Sequence, residues 1–222
     1  MFRLKLVLRL AFVLALVAGI LFGSAGRLDL PFFWAYLGVF AALGAVTLLT
    51  LRQDLLEERF NRRARGRDNL AFLRAAALTT FLAEWVLAGL DVGRLHVSDT
   101  IPGAVQGIAL VSLAGAFGVW YWAMRVNPFF SPAVRVQTER GHHVVTTGPY
   151  AFVRHPGYAA LTLLGLGGPL SLGSWYAALP HLALAALFFR RAAFEDRMLH
   201  AELDGYADYA ERVRFRIVPG IW

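Results

Sequence analysis

Tyr158-Ala-Ala-Leu-Thr-Leu-Leu-Gly-Leu-Gly-Gly-Pro-Leu-Ser-Leu-Gly-Ser-Trp-Tyr-Ala-Ala-Leu-Pro-His-Leu-Ala-Leu-Ala-Ala-Leu-Phe-Phe189 is an apolar run that contains no Asp, Glu, Lys or Arg. A membrane-crossing helix takes about 20 residues, and this run is too long for one. Gly167-Gly168-Pro169 and Gly173-Ser174 fall near its middle, where glycine and proline stop or bend a helix. The stretch therefore reads as a helical hairpin turning near Ser171-Leu172, with both arms short or tilted. Two antiparallel helices of equal rise place residues equidistant from the turn at one depth. Residue 154 should then lie level with about 190, and residue 149 with about 195. The hairpin's two feet should meet.

Four apolar segments precede the hairpin: Leu6–Phe22, Leu30–Leu51, Leu70–Leu90 and Ile101–Met124. Over the whole chain 58% of residues are hydrophobic and 17% charged, against about 45–50% and 25% in soluble proteins. The fold class is all-α, a polytopic membrane helical bundle of about six helices in three hairpins, read as a single integral membrane domain over residues 1–222. Residues 1–26 also fit a cleaved signal peptide, with a basic start and small residues Gly23-Ser24-Ala25-Gly26. Removing them would break the alternation of charge in the remaining loops, so the membrane-span reading is preferred. Asp54–Asn69 reads as a short amphipathic or solvated connection.

Basic residues mark one side of the membrane. Arg3, Lys5 and Arg9 open the chain, Arg52, Arg59, Arg62, Arg63, Arg65 and Arg67 fill the second loop, and Arg125, Arg135, Arg140 and Arg154 precede the hairpin. Arg190, Arg191, Arg197, Arg212, Arg214 and Arg216 follow it, while the alternate connections hold Arg27 and Arg94. Positively charged loops stay cytoplasmic, which puts both termini on that face. The net charge of +7 is then a match to anionic lipid headgroups, with no nucleic acid partner implied. Without cysteine, disulfides, thiolate catalysis and cysteine-ligated metal are excluded.

The polar residues gather at the hairpin's feet. Pro149 and Pro156 interrupt helix formation, so Gly148–Pro156 should be an ordered, irregular connection. Irregular backbone at membrane depth survives where it lines a cavity, and Glu195-Asp196 should face it from the other arm. Glu84, an acid inside a span, is either functional or bonded to a neighbouring helix. Gly19-x-x-x-Gly23 and Gly103-x-x-x-Gly107 permit close helix contacts. His142-His143 lacks a third ligand at metal spacing, and no metal site is read.

Gly148-Pro149-Tyr150, Arg154-His155-Pro156-x-Tyr158, Glu195-Asp196-x-x-Leu199, Gly205-x-x-x-Tyr209 and the closing Arg216–Trp222 segment resemble the isoprenylcysteine carboxyl methyltransferase family, which is related to the membrane phospholipid N-methyltransferases. The resemblance covers roughly residues 120–222. Glu195-Asp196 stands where the family usually has Glu-Glu. Residues 120–222 are then the methyltransferase region, and the membrane helices of residues 1–119, which share only hydrophobicity with the family, are read as the substrate side.

The resemblance implies a membrane enzyme that takes a methyl group from S-adenosylmethionine. Such a reaction is an in-line displacement, helped by alignment and exclusion of water. Glu195 would hold the cofactor's ammonium or face its sulfonium, and the rings of Tyr150 or Tyr158 favour a cation. Arg154 and His155 would hold a carboxylate of cofactor or acceptor. Arg154, His155 and Glu195 form the implied catalytic set. Irregular backbone at Val144, Val145, Gly148 and Pro149 offers donors and acceptors to adenine, and the resemblance adds Gln137, His142 and Pro156 to the pocket. Tyr206 and Tyr209 read as packing residues. The acceptor is expected to be amphiphilic or lipid-like, possessing a polar head and entering sideways from the bilayer. Carboxyl, amine, thiol and phenol acceptors remain open, as does the oligomeric state.

Two other readings fit the sequence less well. A soluble methyltransferase needs a glycine-rich strand–helix turn, and the only candidate, Gly165-Leu166-Gly167-Gly168, lies inside the hairpin. A transporter would distribute polar features through its spans, whereas only Arg74, Glu84 and His181 are so placed.

Overall fold

In the computed structural model, which describes residues 2–59, 66–98 and 100–222, eight α-helices follow one another. They are α1 (Phe2–Ala25), α2 (Pro31–Thr50), α3 (Gln53–Arg59), α4 (Leu70–Leu90), α5 (Gly103–Val126), α6 (Pro156–Leu172), α7 (Leu179–Glu202) and α8 (Tyr206–Arg212). Helices α1, α2, α4, α5 and α7 are long and apolar enough to cross a membrane. Helix α6, at 17 residues, is the short arm of the expected hairpin. The six helices of the sequence reading are all present, and the protein is an integral membrane protein. The arginines at 62, 63 and 65 lie outside the described residues.

Local chemistry sets the helix ends. Pro31 and Pro156 start α2 and α6, where a missing N–H costs nothing. Asn69 caps α4 by accepting the Phe72 N–H at 2.9 Å. At the end of α2, Arg3 donates to the carbonyls of Leu49 and Leu51 at 2.8 and 3.2 Å, satisfying two orphan acceptors with a cation. Helix α1 leaves Leu4, Leu8, Phe12 and Leu16 exposed while burying Leu6, Val17 and Leu21, the all-round hydrophobicity of a lipid-facing helix.

The hairpin turns later than expected. Gly167-Gly168-Pro169 does not break α6, which continues through Pro169 to Leu172. A proline so close to the helix end interrupts only its last turn, and Gly173, at φ +87°, makes the left-handed exit that glycine alone adopts without strain. A 3₁₀ turn at Tyr176–Ala178 leads into α7.

The glycines that bring helices together are also not those of the two Gly-x-x-x-Gly pairs. A Cβ at Gly19, Gly23 or Gly107 would meet nothing within 4 Å, and at Gly103 only the edge of the Phe32 ring near 3.8 Å. Close approach falls instead at Gly89 and Gly93, against Ser24 and Ala25, and along α6 at Gly165, Gly167 and Gly168. Helix α6 packs most extensively against α5, and a Cβ at Gly167 would lie 3.3 Å from the Ala109 carbonyl oxygen.

The main core gathers Val17, Leu21, Phe33, Tyr36, Ala88, Leu113, Leu164 and Leu172. Two polar knots sit within the bundle. Glu84 is fully buried, accepts from the Tyr36 hydroxyl at 3.3 Å and faces His181 Nε2 at 2.7 Å, so it is bonded to neighbouring helices. Asp91 accepts from the N–H groups of Val97 and Ser98 and from the hydroxyls of Ser98 and Ser174, fastening the connection after α4 to the α6–α7 turn. At the charged end of the bundle, α3 buries Leu55 and Leu56 against Leu48, Leu51 and Met124, the amphipathic connection expected there.

Candidate active site

The segment between Gly148 and Pro156 is irregular, as its prolines require: a 3₁₀ turn over Gly148–Ala151, then a turn and bend without regular structure. That piece is held by the tail, the Arg154 N–H donating to the Phe215 carbonyl at 2.9 Å and the His155 N–H to that of Arg216 at 2.8 Å. The Tyr209 hydroxyl closes the other side by donating to the Tyr150 carbonyl at 2.7 Å. Tyr206 and Tyr209 are buried and pack against Met198, Leu199 and Leu203.

Asp196 is the hub of this region. Its Oδ1 accepts from Arg154 Nε at 2.8 Å and the Tyr206 hydroxyl at 2.9 Å, and its Oδ2 from Arg154 Nη2 at 3.0 Å and Arg216 Nε at 2.8 Å. His155 Nε2 lies 3.3 Å from Oδ1. Arg154 Nη1 donates to the carbonyls of Val213 and Arg214. The guanidinium is thus engaged on every side, with its side chain 6% exposed. The sequence reading gave Arg154 and His155 the task of holding an anion of cofactor or acceptor, whereas here they grip the protein's own Asp196. The later hairpin turn is the reason: it sets Arg154 level with residue 196 and Tyr158 level with 195, several residues beyond the expected register.

Glu195 therefore has a different partner. The Tyr158 hydroxyl donates to its Oε2 at 2.7 Å, and its Oε1 accepts no hydrogen bond from the described residues. Arg191 stands over the Tyr158 ring at 5.7 Å. It lies 2.9 Å from Asp68 in a charge contact without hydrogen-bond alignment and donates to the Pro132 carbonyl at 2.5 Å.

These groups border a cavity of about 450 Å³. Of the residues anticipated from sequence, His142, Val144, Val145, Tyr150, Arg154, His155, Pro156, Tyr158 and Glu195 line it. Gln137, Gly148 and Pro149 do not. Gln137 is buried, its side-chain amide donating to the Phe129 carbonyl at 2.6 Å, while Gly148 packs near Trp122. The Gln137 backbone N–H donates to His142 Nδ1 at 3.1 Å, so the neutral ring carries its proton on Nε2. Burial, seconded by His143, Arg135 and Arg140, pushes the His142 pKa down to about 4, and the ring stacks on Phe129 at 4.3 Å. Burial likewise drives the Tyr150 phenol upward, with Asn127 donating to its oxygen at 2.9 Å.

Three walls were not anticipated. One is the stretch after α5, including Phe129, Phe130, Ser131 and Ala133. A second is a stripe on α4, Leu70, Leu73, Arg74, Ala77 and Phe81, whose three- and four-residue spacing is one helix face. The third adds Phe188, Arg191 and Leu199 on α7, which flank the anticipated Glu195 on the same helix face. The spacings were readable in the sequence, but not which face of an apolar helix turns inward.

The cavity suits a cofactor with an adenosine, an amino-acid head and a cationic sulfur. Among the described residues, one carboxylate oxygen of Glu195 accepts no hydrogen bond and neither Val144 nor Val145 commits its N–H or carbonyl to another backbone group, while Tyr150 and Tyr158 present rings. Those are the contacts that an ammonium, a sulfonium and a purine edge require.

Comparison with known proteins points the same way. Residues 108–201 match the model of the isoprenylcysteine carboxyl methyltransferase family. The Protein-S-isoprenylcysteine O-methyltransferase of Schizosaccharomyces pombe is 34% identical over 93 residues, 41% of this chain and 38% of that protein. The match thus spans well under half the length of that relative. The solved structure of a eukaryotic intramembrane Ras methyltransferase of the same family name shares the fold, with a TM-score of 0.64 and 17% identity over 99% of this chain and 83% of that one.

Proposed function

We propose that this chain, whose residues 108–201 carry the isoprenylcysteine carboxyl methyltransferase signature, is a membrane methyltransferase that moves a methyl group from S-adenosylmethionine to an amphiphilic acceptor such as an isoprenylcysteine carboxylate. The observation that carries the reading is Glu195. It is fixed by Tyr158 at 2.7 Å, keeps one oxygen for a ligand, and borders a cavity where the family motifs converge. The cofactor supplies an electrophilic methyl carbon. The protein's part is to bind, orient and dry the site.

Glu195 and the rings of Tyr150 and Tyr158 hold positive charge at the foot of α6 and α7. Backbone groups at Val144 and Val145 and the Nε2–H of His142 meet polar edges. Arg154, His155 and Asp196 act as positioning residues, locking the 152–156 connection to the tail so that Tyr158 meets Glu195. A carboxylate acceptor needs no base near neutral pH. Both termini and this pocket face the cytoplasm in the proposed topology, as the distribution of arginines favours, and cofactor enters from that side. The acceptor slides in from the bilayer, since each methylene kept out of water favours that route by about 0.8 kcal/mol.

The test is turnover by purified protein with labelled S-adenosylmethionine, extracted lipids and prenylcysteine analogues, read by mass spectrometry. Labelled product that vanishes in Glu195→Gln is expected. Cofactor affinity and turnover unchanged in that variant would reject the assignment.

A further inference from the structure

The cavity does not end at the cofactor-sized foot. Along α4 its lining runs from Leu70 through Leu73, Arg74 and Ala77 to Phe81, and the eleven helical rises between the first and the last span about 16 Å. Trp120 on α5, Leu161 on α6 and Phe188 on α7 complete an apolar arm joined to the pocket where Tyr158 and Glu195 meet. An extended hydrocarbon chain of roughly a dozen bonds fits that length.

The arm's deepest lining residue on α4 is Phe81, and what stands behind it explains why. Its ring meets the His181 ring edge-on, at 5.2 Å and 76°, and lies 6.0 Å from that of Trp85. His181 is committed to Glu84 at 2.7 Å, and Glu84 to Tyr36, whose hydroxyl accepts from Trp85. A chain pushing farther would have to displace a buried, mutually satisfied acid–imidazole pair, and breaking such a pair is costly. Phe81 thus closes the apolar arm with a ring backed by a floor that cannot yield.

We propose that Phe81 is a specificity-determining residue that sets the length of acceptor chain the enzyme takes, a proposal that rests on the methyltransferase reading above. Truncating the ring lengthens the arm by about one helical turn and enlarging it shortens the arm, while the cofactor foot, at the other end, is untouched. Leu82, one residue on, is 44% exposed on the lipid side and has no such influence.

The experiment measures kcat/KM of the full-length purified protein for N-acetyl cysteines S-alkylated with chains of graded length, together with cofactor affinity by calorimetry. Wild type should show an optimum. Phe81→Ala should move it to longer chains, with the longest acceptor gaining several-fold relative to the shortest, and Phe81→Trp should move it to shorter ones. The change should appear chiefly in KM, cofactor Kd should stay within twofold, and Leu82→Ala should reproduce the wild-type profile. An optimum unmoved in both Phe81 variants, with turnover retained, would overturn the ruler and mean that the chain's end lies in lipid. Wild-type protein that neither binds S-adenosylmethionine nor methylates any acceptor would overturn the functional reading as well.

Discussion

Glu84 and His181 stand 2.7 Å apart at the centre of the bundle, and two glycines of α6 make room for them. A Cβ at Gly168 would lie 2.5 Å from Glu84 Oε1, and one at Gly165 2.6 Å from His181 Nδ1. Gly165→Ala and Gly168→Ala should each destabilise the protein by about 1–3 kcal/mol through overpacking. Gly107→Ala, on a helix face with open space beside it, should be neutral or stabilise by up to ~1 kcal/mol. Thermal unfolding in detergent ranks the three, and equal effects would contradict the packing.

Asp196 balances two arginines and accepts from Tyr206. Asp196→Asn leaves Arg154 buried without its counter-charge, a loss of about 3–5 kcal/mol by analogy with broken buried pairs. Arg154→Lys should lie between, because an ammonium cannot serve the two carboxylate oxygens and two carbonyls that the guanidinium reaches. Unfolding midpoints would show the order wild type, Arg154→Lys, Asp196→Asn.

At Glu195 the expected loss is in ligand binding. Glu195→Gln removes the charge and should weaken S-adenosylmethionine binding by about 10- to 100-fold, the range of a charge-assisted hydrogen bond. Tyr158→Phe should cost less, about tenfold, since it frees the carboxylate without neutralising it. Arg212→Ala, at an exposed position at the end of α8, should have no effect. Calorimetry with all three variants decides.

His142 gives a pH signature. Its pKa is about 4 in the folded protein, against about 6.5 for an ordinary imidazole. Between these values the unfolded chain binds more proton, so this contribution to stability is complete above pH 6.5 and fades as pH falls toward 4. His142→Gln should flatten the unfolding midpoint across that window only. Histidine NMR should place the ring's own titration near the lower value.

Topology can be read directly. Single cysteines at Asn69 and Asp204 should label from the cytoplasmic side, and those at Gly26 and Val97, both exposed, from the opposite side. Labelling of Asn69 and Val97 from one side would contradict the arrangement.

The membrane helices were legible because length and apolarity alone specify them: α2 and α4 fall within a residue or two of Leu30–Leu51 and Leu70–Leu90. The hairpin was legible, but its register was not. Pro169 sits where only the last turn of α6 can feel it, so the chain turned at Gly173 and carried Asp196, rather than residue 190, to Arg154. That shift sorted the two neighbouring carboxylates into a buried, salt-bridged one and a cavity-facing one, which no count of residues on an apolar helix resolves. The α4 and α7 walls stayed hidden for a related reason. In a lipid-facing helix both faces are apolar, so periodicity does not say which one is inside.

The wall formed after α5 is held from the other half of the chain. Glu58 accepts from Ser131 at 2.7 Å, Asp68 accepts the Val134 N–H at 3.0 Å, and the Arg67 N–H donates to the Val134 carbonyl at 3.0 Å. The family match begins only at residue 108, so Glu58, Arg67 and Asp68 lie outside the matched region while their partners Ser131 and Val134 lie inside it. Exchanging the first four helices between relatives would keep every motif and still misplace one side of the pocket, unless Glu58 and Asp68 travelled with their partners. The two halves of this chain are therefore poor candidates for recombination, and a swap intended to alter acceptor choice alone would disturb the cofactor side too.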